Sequence, residues 1–133
     1  MLERMTGTRV VSTQVGLESL LADSRWPAGR RTIRFAFDEL LTFGELDESF
    51  VKSCDPHAII VEETSFFAVS LSPDEGSRLL ENHCEWEPPS EDSFPTQAQG
   101  AVAGIPTKIL FEQAQWLFVV QSPYVKEFEE RVF

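Results

Sequence analysis

The chain has 133 residues, 42% of them apolar with 11 Phe and 3 Trp, and a formal net charge of −11, a composition that excludes the low-hydrophobicity class of disordered chains. That length supports one hydrophobic core, so a single domain over residues 1–133 is expected. No run approaches the roughly 18–20 uninterrupted apolar residues of a membrane span, and the first ten residues lack the apolar centre of a secretion signal, so no membrane partner and a cytoplasmic setting (or a particle assembled there) are expected.

The charge is unevenly placed. Residues 1–34 carry Arg4, Arg9, Arg25, Arg30, Arg31 and Arg34 against three acids, a net +3, which leaves −14 on the remainder. A basic N-terminal segment on an acidic body suits charge complementarity between copies of the chain or an anionic partner; chance clustering on a solvated surface is the bland alternative. Cys54 and Cys84 are only two thiols and are expected to stay free.

In chain order, the first eleven residues show no clear period and read as an arm or an edge strand. Leu17, Leu20 and Leu21 then recur at helical spacing behind Ser12 or Thr13 as N-cap, predicting a short helix that ends before Trp26-Pro27. Residues 30–38 alternate, with Ile33, Phe35 and Phe37 on one side, as a half-buried strand does. Residues 39–54 mix helix-like spacing with Gly44 and suggest one or two helical turns, and Asp55-Pro56 marks a turn.

Laid over one another at an offset of 50, residues 56–73 and 106–123 share six identities: Pro56/Pro106, Ile59/Ile109, Glu62/Glu112, Val69/Val119, Ser72/Ser122 and Pro73/Pro123. This reads as a duplicated strand-strand-helix unit over about 56–83 and 106–133, with turns near Thr64 and Ala114 and strands over 58–63, 65–71, 107–112 and 116–121. Each Ser-Pro starts a helix, Ser capping and Pro tolerated in the first turn, and Glu75 completes a capping box with Ser72. Residues 85–100, acidic and rich in proline, read as a long exposed loop. The expected class is therefore α+β, a mainly antiparallel sheet with a duplicated unit and a short N-terminal helix. The apolar runs Phe66–Val69 and Leu117–Val120 call for cover on both faces, by the other copy or by a second subunit.

Chemistry is sparse. Cys54 with His57 and His83 with Cys84 make the inventory of a zinc site, but the intervening strand climbs roughly 20 Å and the helix returns about 15 Å, which separates the pairs; no metal and no cofactor are expected. Cys54, Asp55 and His57 resemble nucleophile, acid and base only by sequence proximity, which is weak evidence because folds rather than neighbouring positions assemble such groups. Glu62 and Glu112 sit at equivalent repeat positions, where a solubilising charge is the simpler reading. No phosphate loop, dinucleotide fingerprint or nucleophile elbow is present, and a non-enzyme is expected.

Partner contacts are expected at Arg25, Trp26, Arg30, Arg31 and Arg34, and in the acidic loop at Glu85, Trp86, Glu87, Glu91 and Asp92, with Trp86 as aromatic anchor. Basic residues around an aromatic also suit a phosphate backbone, but the −14 body opposes nucleic acid. The leading expectation is a non-catalytic interaction or assembly protein, a homo-oligomer of the virion or connector type. The alternative is an acidic inhibitor, such as an immunity protein, antitoxin or nucleic-acid mimic, that binds a basic partner.

Overall fold

The computed structural model describes residues 1–133. Seven strands follow the hydrogen-bonded order β2-β3-β1-β4-β7-β6-β5: β1 (Glu3–Val11), β2 (Thr32–Ala36), β3 (Glu39–Phe43), β4 (Ile59–Leu71), β5 (Thr96–Val102), β6 (Ile105–Phe111) and β7 (Trp116–Gln121). Four helices accompany them: α1 (Gln14–Ala22), α2 (Glu48–Cys54), α3 (Pro73–His83) and α4 (Val125–Val132). Residue contacts divide the chain into two compact units, a first of Thr6–Thr64 and a second of Met1–Met5 with Ser65–Phe133.

In the first unit β3 pairs antiparallel with β1, from Gly7 opposite Phe43 to Val11 opposite Glu39, and with β2, where a bulge falls between Arg34 and Ala36. Thr13 caps α1, its hydroxyl accepting from Gly16 N at 2.9 Å, and Asp47 caps α2 through Ser49 N at 2.9 Å. Both helices supply an apolar face to one cluster: Leu17 and Leu20 from α1 and Phe50 and Val51 from α2 pack with Val10, Leu40 and Ala58. Burying such side chains is worth about 1.5–3 kcal/mol each before entropy is counted, so this cluster is what holds the short helices in place.

In the second unit the C-terminal half of β4 pairs antiparallel with β7, β7 with β6, and β6 with β5. Phe111, Ile109, Phe118 and Val120 from the strands meet Leu79 and Leu80 of α3 and Phe128 of α4 in a second core. Trp116 through Val120 are buried without a break, whereas in the other apolar run Phe66 and Ala68 are buried and Phe67 and Val69 only half-buried. Leu2 joins this core, and its backbone N donates to Glu129 Oε1 at 3.0 Å.

The duplicated strand-strand-helix unit is corrected. Its second copy is a hairpin, β6 and β7, closed where Glu112 N donates to Gln115 O at 3.1 Å. Its first copy is one uninterrupted 13-residue strand, β4, running straight through Thr64. Nothing from Ile59 to Leu71 is Gly, Pro, Asn or Asp, so the stretch lacks the strongest turn formers, with Ser65 alone beside Thr64; similar side-chain patterns serve two different topologies. The helices after the two Ser-Pro pairs also differ. Ser72 caps α3 directly, whereas Ser122–Tyr124 form a 3-10 turn without a side-chain cap before α4.

Three further expectations change. β1 lies between β3 and β4 rather than at an edge. Residues 39–43 form β3, and only the later part of the ambiguous stretch is helical. The loop expected over 85–100 ends early, because Thr96–Val102 pairs along its whole length with β6.

Candidate functional site

Two regions hold the residues that sequence reasoning marked for partner contact. The first is the arginine-rich segment of the first unit. At the end of α1, Arg25 grips Asp23 with Nε and Nη2, each at 3.0 Å, and Nη2 reaches Ser53 Oγ at 3.1 Å while the guanidinium lies 4.6 Å from the centre of the Phe50 ring. These hydrogen bonds draw the Asp23 carboxyl down from 3.8 to about 2, because they favour the ionised form.

Arg30 bonds Thr42 Oγ1 through Nε at 2.6 Å and Glu45 O through Nη2, and stands 5.8 Å from the centre of the Trp26 ring; partial burial lowers its pKa. Trp26 itself is half-buried against the core of the first unit. Arg34 donates to the carbonyls of Ala36 at 2.9 Å and Phe37 at 2.5 Å, clasping the turn between β2 and β3. Arg31 is half-buried, and its carbonyl accepts from Phe43 N at 3.0 Å. Arg25, Arg30 and Arg34 thus fasten turns within the unit.

Arg9, not marked as a contact residue by the sequence, links three strands of the first unit. From β1 it reaches Glu39 on β3 at 3.1 Å and Glu63 on β4 at 3.5 Å, with the Phe35 ring centre 5.1 Å away. Cross-strand pairing of opposite charges is a recognised support for sheets, but it joins residues far apart in the chain and leaves no local sequence signal.

The second region lies in the second unit, where the segment after α3 folds back toward that helix. Glu85, Glu87, Glu91 and Asp92 are exposed, and Ser90 caps a 3-10 turn at Glu91–Ser93. Trp86 is half-buried. Its Nε1 donates to Ala101 O at 2.9 Å and its indole covers Gly100, where a Cβ would stand 2.6 Å from Nε1. Beneath the segment, Phe94 stacks on Phe111 at 5.4 Å and meets Trp116 edge-on at 5.9 Å. A cavity of about 440 Å³ opens between α3 and this segment, walled by Trp86, Phe94, Trp116, Leu80, Cys84 and the prolines 88 and 89.

Cys54 and His57 fall in the first unit and His83 and Cys84 in the second. Cys54 Sγ lies 3.9 Å from Asp23 Oδ2 in the first unit, and Cys84 Sγ lies 3.2 Å from Trp86 O in the second. Asp55 accepts from Ser12 Oγ at 2.5 Å and from the backbone N of His57 at 2.9 Å, which makes it a turn-binding group that lowers its own pKa through the Ser12 bond. No three His, Cys, Asp or Glu side chains gather as metal ligands would. Glu62 lies within β4 and Glu112 just after β6, so the two do not occupy equivalent sites.

No helix is long and apolar enough to cross a membrane. No family model matches the chain, and no curated protein matches it in sequence. Among solved structures, it is similar to a chain of the heterotetrameric sarcosine oxidase from Corynebacterium sp. U-96, in complex with pyrrole 2-carboxylate, with a TM-score of 0.69 and 13% identity over 99% of this chain and 78% of that one. At that identity the likeness is one of fold. It corrects the expectations of a virion or connector component and of an acidic inhibitor: the fold is found in an enzyme heterotetramer, and neither of those roles has support.

Proposed function

We propose that this chain is a non-catalytic subunit of a multisubunit enzyme. The carrying observation is the likeness, over 99% of its length, to a chain that works within a heterotetrameric oxidase. A fold alone does not transmit a reaction, so the reading concerns the chain's place in an assembly. Ile59 and Val61, at 58% and 47% exposure on one face of β4, support the reading by offering adjacent apolar surface to a partner. The exposed carboxylates of residues 85–92 supply a charged surface that steers a basic partner subunit.

The test is purification from the native source through a tag on this chain, followed by mass measurement and an oxidase assay with sarcosine and related secondary amines. The expected result is a complex of fixed stoichiometry, with any turnover belonging to the complex and none to the isolated chain. An isolated chain that turns over substrate unaided, or that is recovered without a stoichiometric partner, overturns the proposal.

A further inference from the structure

The cavity of the second unit has a composition that selects a class of ligand. At about 440 Å³ it falls within the range of small-molecule sites, roughly 300–1,000 Å³. Three aromatic side chains line it, Trp86, Phe94 and Trp116, together with the carboxylates Glu81 and Glu91, and no Lys or Arg does. Neither carboxylate has a cationic partner in the chain. Residues 74–95 hold seven acids against the single Arg78, so the local field attracts cations and repels anions.

We infer that this cavity binds a small organic ammonium ion, with the aromatic walls receiving its alkyl groups and Glu81 and Glu91 balancing its charge. The electron-rich faces of Trp and Phe attract such cations by about 0.5–2 kcal/mol each, more as water is excluded, and a methylated ammonium is weakly hydrated enough to leave water for them. Lysine-like primary ammonium groups hold their water more strongly and gain less from an apolar wall.

The walls are fixed before any ligand arrives. Trp86 is held by its bond to Ala101 O and by Gly100, Phe94 by its stack on Phe111, and Trp116 by Phe111 at 4.8 Å and by the bare α-carbon of Gly76. Side chains already ordered give up little freedom on binding, which favours affinity. Trp116 Nε1 is buried with no hydrogen-bond partner, and buried donors of this kind are rare. The inference stands on the cavity alone and is independent of the subunit reading.

The test is calorimetric titration of the full chain with choline and with its uncharged isostere 3,3-dimethylbutan-1-ol, which share shape and hydroxyl and differ in charge. Choline is expected to bind saturably and about tenfold more tightly than the alcohol. The double variant Glu81→Gln/Glu91→Gln, altered only at exposed positions, is expected to weaken choline several-fold while the aromatic walls still hold it above the alcohol, and to leave the alcohol unchanged. Equal binding of the two probes, no saturable binding of choline at millimolar concentration, or a double variant that binds choline as the parent does, each overturns the assignment.

Discussion

Trp116 of β7 lies against the α-carbon of Gly76 in α3, so closely that a Cβ on residue 76 would stand 2.5 Å from Cε3 of the indole and 3.1 Å from Cδ2. Glycine inside a helix costs about 1 kcal/mol relative to alanine, so by propensity alone Gly76→Ala should stabilise α3. The contact reverses the sign. Gly76→Ala is expected to lose about 1–3 kcal/mol, the usual cost of overpacking a filled interior, read from urea unfolding midpoints. Trp116→Phe in the same background should recover part of the loss, because the smaller ring leaves room for the methyl group. A stabilised Gly76→Ala chain would show that α3 and β7 are further apart than described.

The start of α3 depends on a reciprocal pair. Ser72 Oγ accepts from Glu75 N at 3.2 Å, and Glu75 Oε1 accepts from Ser72 N at 3.3 Å and from Ser72 Oγ at 2.9 Å. Ser72→Ala is expected to cost about 1 kcal/mol. Glu75→Ala should cost less, and the double variant should fall short of the sum, since each substitution already removes part of the other's bonding. Strict additivity in chemical unfolding would mean that the two side chains act separately.

The two helices written most plainly in the sequence, α1 behind Thr13 and α3 behind Ser72-Pro73, form as read because their signals are local: a capping hydroxyl, a proline in the first turn and apolar residues at 3–4 spacing. The strands were harder to place. Ile59–Leu71 has the alternation of a strand but no residue that says whether the chain turns at Thr64; its place between β1 and β7 keeps it one strand, and such pairing is not a property of the segment. Thr96–Val102 is polar and contains Gly100, so its strand character comes from β6 and not from its own propensity. The same limit applies to the cavity. Trp86, Glu91 and Phe94 stand in one conspicuously acidic segment, but Glu81 lies on α3 and Trp116 on β7, and only the folded chain brings them to one wall.

Acid should loosen the first unit through Asp23. Its folded pKa, drawn to about 2 by the bonds from Arg25, lies below the ordinary 3.8, so the ionised side chain is favoured in the folded state. The resulting stabilisation is complete above the unfolded value and is lost as pH falls from about 4 toward 2. Asp23→Asn is therefore expected to be less stable than the parent at neutral pH and to converge on it in acid, seen as thermal midpoints that fall less steeply over that interval. Asp55, lowered by its bond from Ser12, contributes with the same sign. Parallel pH profiles for parent and Asp23→Asn would remove Asp23 from the account.

The connection between β5 and β6 holds a residue in an unfavourable conformation. Val102 pairs with Ile105, leaving a two-residue turn in which Ala103 has φ 53° and Gly104 φ 78°. Two successive positive φ values describe the type I′ turn whose twist matches a hairpin, and its preferred sequence is Asn-Gly. Gly104 suits its place; Ala103 does not, because a Cβ in the left-handed region costs roughly 1–2 kcal/mol that Asn partly recovers through local hydrogen bonding. The bonds that anchor residue 103, from its own N to His83 O and from Arg131 Nη1 to its carbonyl, both at 2.7 Å, use backbone atoms and survive a change of side chain. Ala103→Asn is thus expected to stabilise the chain by roughly 0.5–1 kcal/mol, and Gly104→Ala to destabilise it by about 1 kcal/mol or more. Thermal and urea unfolding of the two variants check the pair, and a destabilised Ala103→Asn chain would mean that the methyl group of Ala103 makes a contact worth more than the relief of its backbone.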